Sequence, residues 1–177
     1  MSTIVEQAVP AGTWQADPVH SSVGFAVKHN DAGTFKGSFD TFVATLADGR
    51  LSGEATVASI RVQDENQTAH LLSPDFFDAE RFPAIRFESS MLRVEREQFV
   101  AEGELELKGV RKPIRLHGTV SGPSTDPYGN ERLGYTLETV VDRTEFGVNW
   151  NAELPGGGLV VGNEVRLIGE LELIKEA

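Results

Sequence analysis

Cysteine is absent from the 177 residues. That absence excludes disulfides, thiolate metal sites and cysteine nucleophiles together. No run approaches the roughly 18 apolar residues of a membrane-spanning helix, so no integral membrane segment is expected. The opening stretch MSTIVEQAVPAGT lacks the basic start and apolar centre of a secretory signal. The expectation is a cytoplasmic protein with a flexible arm over residues 1–12 and one domain over 13–177. Positive charge is scarce: 16 Lys and Arg stand against 27 Asp and Glu, a formal charge of −11. Such a chain repels phosphate backbones, which argues against nucleic-acid binding.

Catalytic signatures are missing too. There is no Gly-x-Ser-x-Gly elbow, and Ser21-Ser22 sits inside a strand pattern. The glycines at 156–158 lead into a strand, whereas a phosphate-cradling loop leads into a helix. The histidines are scattered. By parity His20 and His29 fall on opposite faces of a continuous strand, His70 lies in a non-strand segment and His117 on a wet face. No spacing signals a metal site. His20 reads as a strand-entry residue held by Asp17 or Ser21, and His29 as a polar residue at a rim. Neither a catalytic residue, nor a metal, nor a cofactor is expected.

What the chain does have is alternation. Val23, Phe25 and Val27 share one face, as do Phe35, Gly37 and Phe39. The same holds for Ile85 and Phe87, and for Phe99, Ala101, Gly103, Leu105 and Leu107. Further on come Ile114, Leu116, Gly118 and Val120, then Leu133, Tyr135 and Leu137, then Val165, Leu167, Gly169, Leu171 and Leu173. Polar residues, many of them glutamates, occupy the positions between. Period two means strands with one wet and one dry face. Turn formers separate them: Asp48-Gly49, the glycine of LKGVRKP, STDPYGNE and ELPGGGLVVGNE.

One segment, DENQTAHLLSPDFFDAERFP, does not alternate. Asp64 or Asn66 can cap a short helix carrying Ala69, His70 and Leu71, which Pro74 ends. About eight strands with one dry face must close into a barrel or stack as a sandwich, and the periodicity does not choose between them. Small residues on the dry faces (Gly37, Ala101, Gly103, Gly118, Gly169) leave two readings open. They make room for a cavity, or they mark places where the sheet bends. A cavity walled this way would take a greasy ligand with its polar head at the opening.

The order of the segments resembles the YceI-like family of polyisoprenoid-binding, lipocalin-like barrels. The resemblance rests on WQADPVHSSVGFAVKH, on ASIRV followed by HLLSPDFFDAERFPAIRFES, on GELELKGVRKPIRL, on VDRTEFGV and on VGNEVRLIGELEL. It spans nearly all of residues 14–174 and implies an all-β fold. That fold is an extended eight-stranded antiparallel lipocalin-like barrel with a short helical insertion around residues 65–80. It implies a long apolar pore holding a prenyl quinone, prenyl pyrophosphate or similar amphiphile for carriage, storage or buffering, and a homodimer. It carries across no catalytic residue; Asp17, the matched histidines and Arg143 read as structural.

On this reading the pore is lined by Val23, Phe25, Val27 and His29, then Phe35 and Phe39, then Ile85 and Phe87. Phe99, Leu105 and Leu116 follow, with Leu133, Tyr135 and Leu137, and finally Val165, Leu167 and Leu171. Two other readings compete. One is an enzyme acting on an amphiphilic lipid, which needs a polar group converging inside the dry face. The other is a protein-interaction module whose barrel is filled.

Overall fold

The computed structural model describes Glu6, Gln7 and residues 9–177. The expected arm thus lies partly outside the described residues. Within them, Glu6 and Gln7 pair with Glu95 and Val94, and Val9 packs against the core.

The alternating segments form eight strands. Three are broken: β1 (Thr13–Ala16 and Ser22–His29), β2 (Gly33–Phe39 and Phe42–Ala47) and β3 (Arg50–Thr56 and Ile60–Val62). Five run through: β4 (Ala84–Glu95), β5 (Gln98–Leu107), β6 (Val110–Thr125), β7 (Glu131–Asp142) and β8 (Val161–Lys175). Each pairs antiparallel with its neighbour in the chain. Strand β8 then returns to both pieces of β1, with Leu173 opposite Ala16 and Leu167 opposite Phe25. The ring is a closed eight-stranded antiparallel barrel. Closure is what rules out the sandwich, because it leaves the strands of the ring no free edge.

Local chemistry sets the corners. Asp48 and Gly49 have φ of 51° and 70°, and Lys108 and Gly109 have 51° and 76°. Two consecutive positive φ values match the twist of a tight hairpin. The break in β1 carries His20 out of the ladder, so His20 and His29 do not share a continuous strand as parity assumed. They sit at opposite ends of the barrel. In the insertion, the Asp64 carboxylate accepts from Asn66 N–H at 3.0 Å and caps a short turn, Glu65–Gln67. That turn runs into α1 (Thr68–Leu72), which stops at Ser73 before Pro74.

The dry-face glycines resolve in favour of bends and close approach. A Cβ on Gly103 would strike the Glu88 backbone, beside the register shift between Ser89 and Met91. One on Gly118 would strike the Thr136 carbonyl. Gly37 and Gly169 are covered by the side chains of Phe25 and Leu137.

The interior divides in two. The lower half is solid: Trp14, Leu46, Leu51, Phe99, Leu133, Tyr135 and Leu173 are each at most 2% exposed. The upper half carries the other apolar cluster, with Phe39, Leu71, Phe76, Leu105 and Phe146 buried and Phe25, Phe35, Phe77 and Phe87 only partly so. The insertion and the segment from Arg143 to Val160 flank its open end.

Candidate functional site: a blind apolar well

The upper half holds a cavity of about 410 Å³ to which all eight strands contribute. Most of the residues expected to line a pore line it: Val23, Phe25, Val27 and His29; Phe35 and Phe39; Ile85 and Phe87; Leu105, Leu116 and Leu137; Val165, Leu167 and Leu171. Phe99, Leu133 and Tyr135 do not. They lie on dry faces as expected, but nearer the closed end, where Trp14, Leu46 and Leu173 fill the space between the walls. The expected long pore is therefore a well with a floor.

Ala44, Leu51, Leu116 and Leu171 belong both to the well and to the solid core beneath it, and so form that floor. The wall above is aromatic on one side. Phe25 stands 6.3 Å from Phe35, 6.0 Å from Phe39 and 6.0 Å from Phe77, centroid to centroid. Phe77 comes from the insertion, which the strand pattern alone did not bring to the pore.

Polar groups gather at the open end. Arg143 is 4% exposed and donates to four backbone carbonyls: Val148 at 2.6 Å, Gly162 at 2.8 Å, Trp150 at 3.0 Å and Val161 at 3.3 Å. No carboxylate reaches it within ion-pair distance among the described residues, and burial holds its guanidinium below its ordinary value. Its work is to fold the segment 147–162 over the rim, the structural role expected of it. His70 Nε2 lies 2.9 Å from Asp75, and its ring stands edge-on to Phe76 and Trp150, 4.9 Å from each. Lys108 Nζ donates to the carbonyls of Pro74 (2.7 Å) and Gly147 (3.3 Å), tying the insertion to the loop after β7. His29, exposed at the end of its strand, also lines the well.

A second polar cluster sits at the closed end, away from the well. Arg132 Nη1 lies 3.0 Å from Asp17 and 3.5 Å from Glu172, and its Nε lies 2.7 Å from Asp126. His20 Nδ1 lies 2.7 Å from Asp17, the partner expected for it. Ligand-capable atoms of Asp17, His20 and Glu172 fall within 4.8 Å of one another. The cation among them is the Arg132 guanidinium. Hydrogen bonds from His20 and then Arg132 hold the Asp17 carboxyl at about 2. Residues so far apart in sequence gave no spacing from which this cluster was legible.

A family model described as the YceI-like domain matches residues 14–173. A UPF0312 protein of Staphylococcus aureus strain N315 is 31% identical over 164 residues, 88% of this chain and 94% of the relative. A UPF0312 protein of Photorhabdus laumondii is 31% identical over 142 residues, 76% of this chain and 73% of the relative. Among solved structures, Burkholderia cenocepacia BcnA superposes with a TM-score of 0.73 at 19% identity, covering 89% of this chain and 98% of that one. A polyisoprenoid binding domain from Saccharophagus degradans, implicated in plant cell wall breakdown, gives 0.72 at 12% identity, over 94% and 100%. At such identities these two establish the fold alone. With the match over residues 14–173 and the curated relatives at 31% identity, the chain belongs to the YceI-like domain family.

Proposed function

We propose that the chain binds one amphiphilic lipid in the well, an isoprenoid of prenyl quinone or prenyl pyrophosphate type, for carriage, storage or buffering and without catalysis. One observation carries the reading: a cavity of about 410 Å³, walled mainly by aliphatic and phenyl side chains, with a few polar residues such as His29, His70, Ser52 and Arg86 at its margins. Each methylene moved there from water gains about 0.8 kcal/mol. Affinity then comes from the tail, and discrimination between tails that differ by one methylene stays weak. The lining residues named above are the proposed contacts, with His29 beside the head.

The distribution of polar groups supports binding over turnover. Arg143 is committed to four carbonyls and His70 to Asp75, and neither stands deep in the well. The polyisoprenoid binding of the Saccharophagus domain points the same way. The homodimer and the cytoplasmic setting belong to the same proposal; light scattering of the purified chain and cell fractionation test them.

Native mass spectrometry after gentle purification tests the binding. A retained lipid that a prenyl lipid displaces saturably is the expected result. A chain that no prenyl lipid saturates ends the reading.

A further inference from the structure

The well has a floor, and a floor sets a length. We infer that this chain houses about three isoprene units, some fifteen carbons, and that tails longer than this leave the barrel through the same opening by which they enter. The inference rests on the lipid-binding reading and adds the chain length that the site accepts.

The volume gives the first argument. A dry apolar cavity of about 150 Å³ holds one benzene, six carbons. The well here measures about 410 Å³. Scaled in proportion, it accommodates about sixteen carbon atoms. A prenyl chain of fifteen carbons fits; one of forty exceeds the space more than twofold.

The lower half of the barrel gives the second, independent argument. Trp14, Leu46, Phe99, Leu133, Tyr135 and Leu173 close it, with exposures of 0–2%. Phe99 and Tyr135 meet edge to face at 5.0 Å across the interior. Close-packed side chains cannot yield space for a further isoprene unit without breaking these contacts, which is costly. A tail therefore stops at Ala44, Leu51, Leu116 and Leu171. Ala44 stands out among these four: it is the smallest of them, and it is only 6% exposed. Enlarging it shortens the well from below without touching the rim.

The test uses the full chain and all-trans prenyl pyrophosphates of ten, fifteen, twenty and forty carbons, which share one head. Each displaces an environment-sensitive apolar dye. Expected is a gain of roughly a hundredfold from ten to fifteen carbons, below the full transfer gain of five buried carbons because packing is imperfect. The twenty- and forty-carbon chains then bind within about threefold of the fifteen-carbon chain, because the added carbons stay in water. Ala44→Leu weakens the fifteen-carbon chain roughly tenfold and the ten-carbon chain by less than about threefold, while Leu171→Ala strengthens the twenty-carbon chain. Affinity that keeps rising tenfold or more at each step to forty carbons overturns the length limit while leaving lipid binding in place. Failure of every chain to displace the dye overturns both. If Ala44→Leu does not fold, Leu171→Ala and the length series decide alone.

Discussion

The ring of Phe25 lies across the bare Cα of Gly37 on the adjacent strand, so that a Cβ added to Gly37 would come 2.5 Å from Phe25 Cζ. The glycine lets an aromatic side chain lie flat against the wall instead of standing up into the well. Gly37→Ala should push the ring inward against Phe35, Phe39 and Phe77. We expect a loss of about 1–3 kcal/mol in stability, read by urea unfolding. Affinity for a fifteen-carbon prenyl chain should fall with it, because the displaced ring occupies the tail's space. Unchanged affinity would mean that the tail does not pass this wall.

Arg143 holds four carbonyls of the rim. Arg143→Met removes the donors and leaves acceptors short of partners. An expected cost of about 3 kcal/mol follows from one to two unsatisfied buried groups. The loss should be local to 147–162, seen as faster amide exchange there and as altered Trp150 fluorescence. Arg143→Lys recovers little, because an ammonium cannot span four carbonyls in the guanidinium's plane.

The closed-end cluster makes stability depend on pH from both sides. Asp17 titrates at about 2, below its ordinary 3.8, so its contribution is complete above 3.8 and is lost as pH falls through about 2. His20 is raised above 6.5 by Asp17, so its contribution is complete below 6.5 and is lost as pH rises through its elevated value. His20→Gln should flatten the alkaline fall in melting temperature that begins above pH 6.5. The acid limb should remain, since Arg132 still faces Asp17. An alkaline limb unchanged by the substitution would remove His20 as its source.

Tyr135 Oη is buried and has no hydrogen-bond partner among the described residues, and burial pushes its pKa up to about 12. An unpaired buried hydroxyl costs about 1–3 kcal/mol relative to a paired one. Tyr135→Phe should therefore be neutral or raise stability by about 1 kcal/mol, measured by thermal unfolding. Destabilisation beyond about 1 kcal/mol would mean that the hydroxyl has a partner in solution.

Lys108 ties Pro74 to Gly147 across the rim. Lys108→Met should change global stability by less than about 1 kcal/mol, as expected for exposed hydrogen bonds. It should speed exchange of residues 70–78 and shorten the residence time of a bound prenyl chain. Equal residence times in the two proteins would show that the tie does not limit release.

By itself the sequence determined the strands, their dry faces, several turns and the capped insertion, because these are local. In an extended chain the Cβ flips at each step, so Val23, Phe25 and Val27 share a side whatever lies opposite. Asp48-Gly49 turns because of its own backbone freedom. Closure into a barrel, and which dry-face residues meet open space, were decided only by the tertiary structure. Phe87 and Phe99 both point inward on neighbouring strands, yet Phe87 lines the well and Phe99 is packed against Tyr135. The difference comes from the far wall: Trp14, Leu46 and Tyr135 span the lower interior, while the side chains around Phe87 stand along the walls of the upper part and leave its middle open. Likewise Asp17, Arg132 and Glu172 meet only because β8 returns to β1. Packing across a closed interior depends on pairs of residues distant in the chain, and period two records none of them.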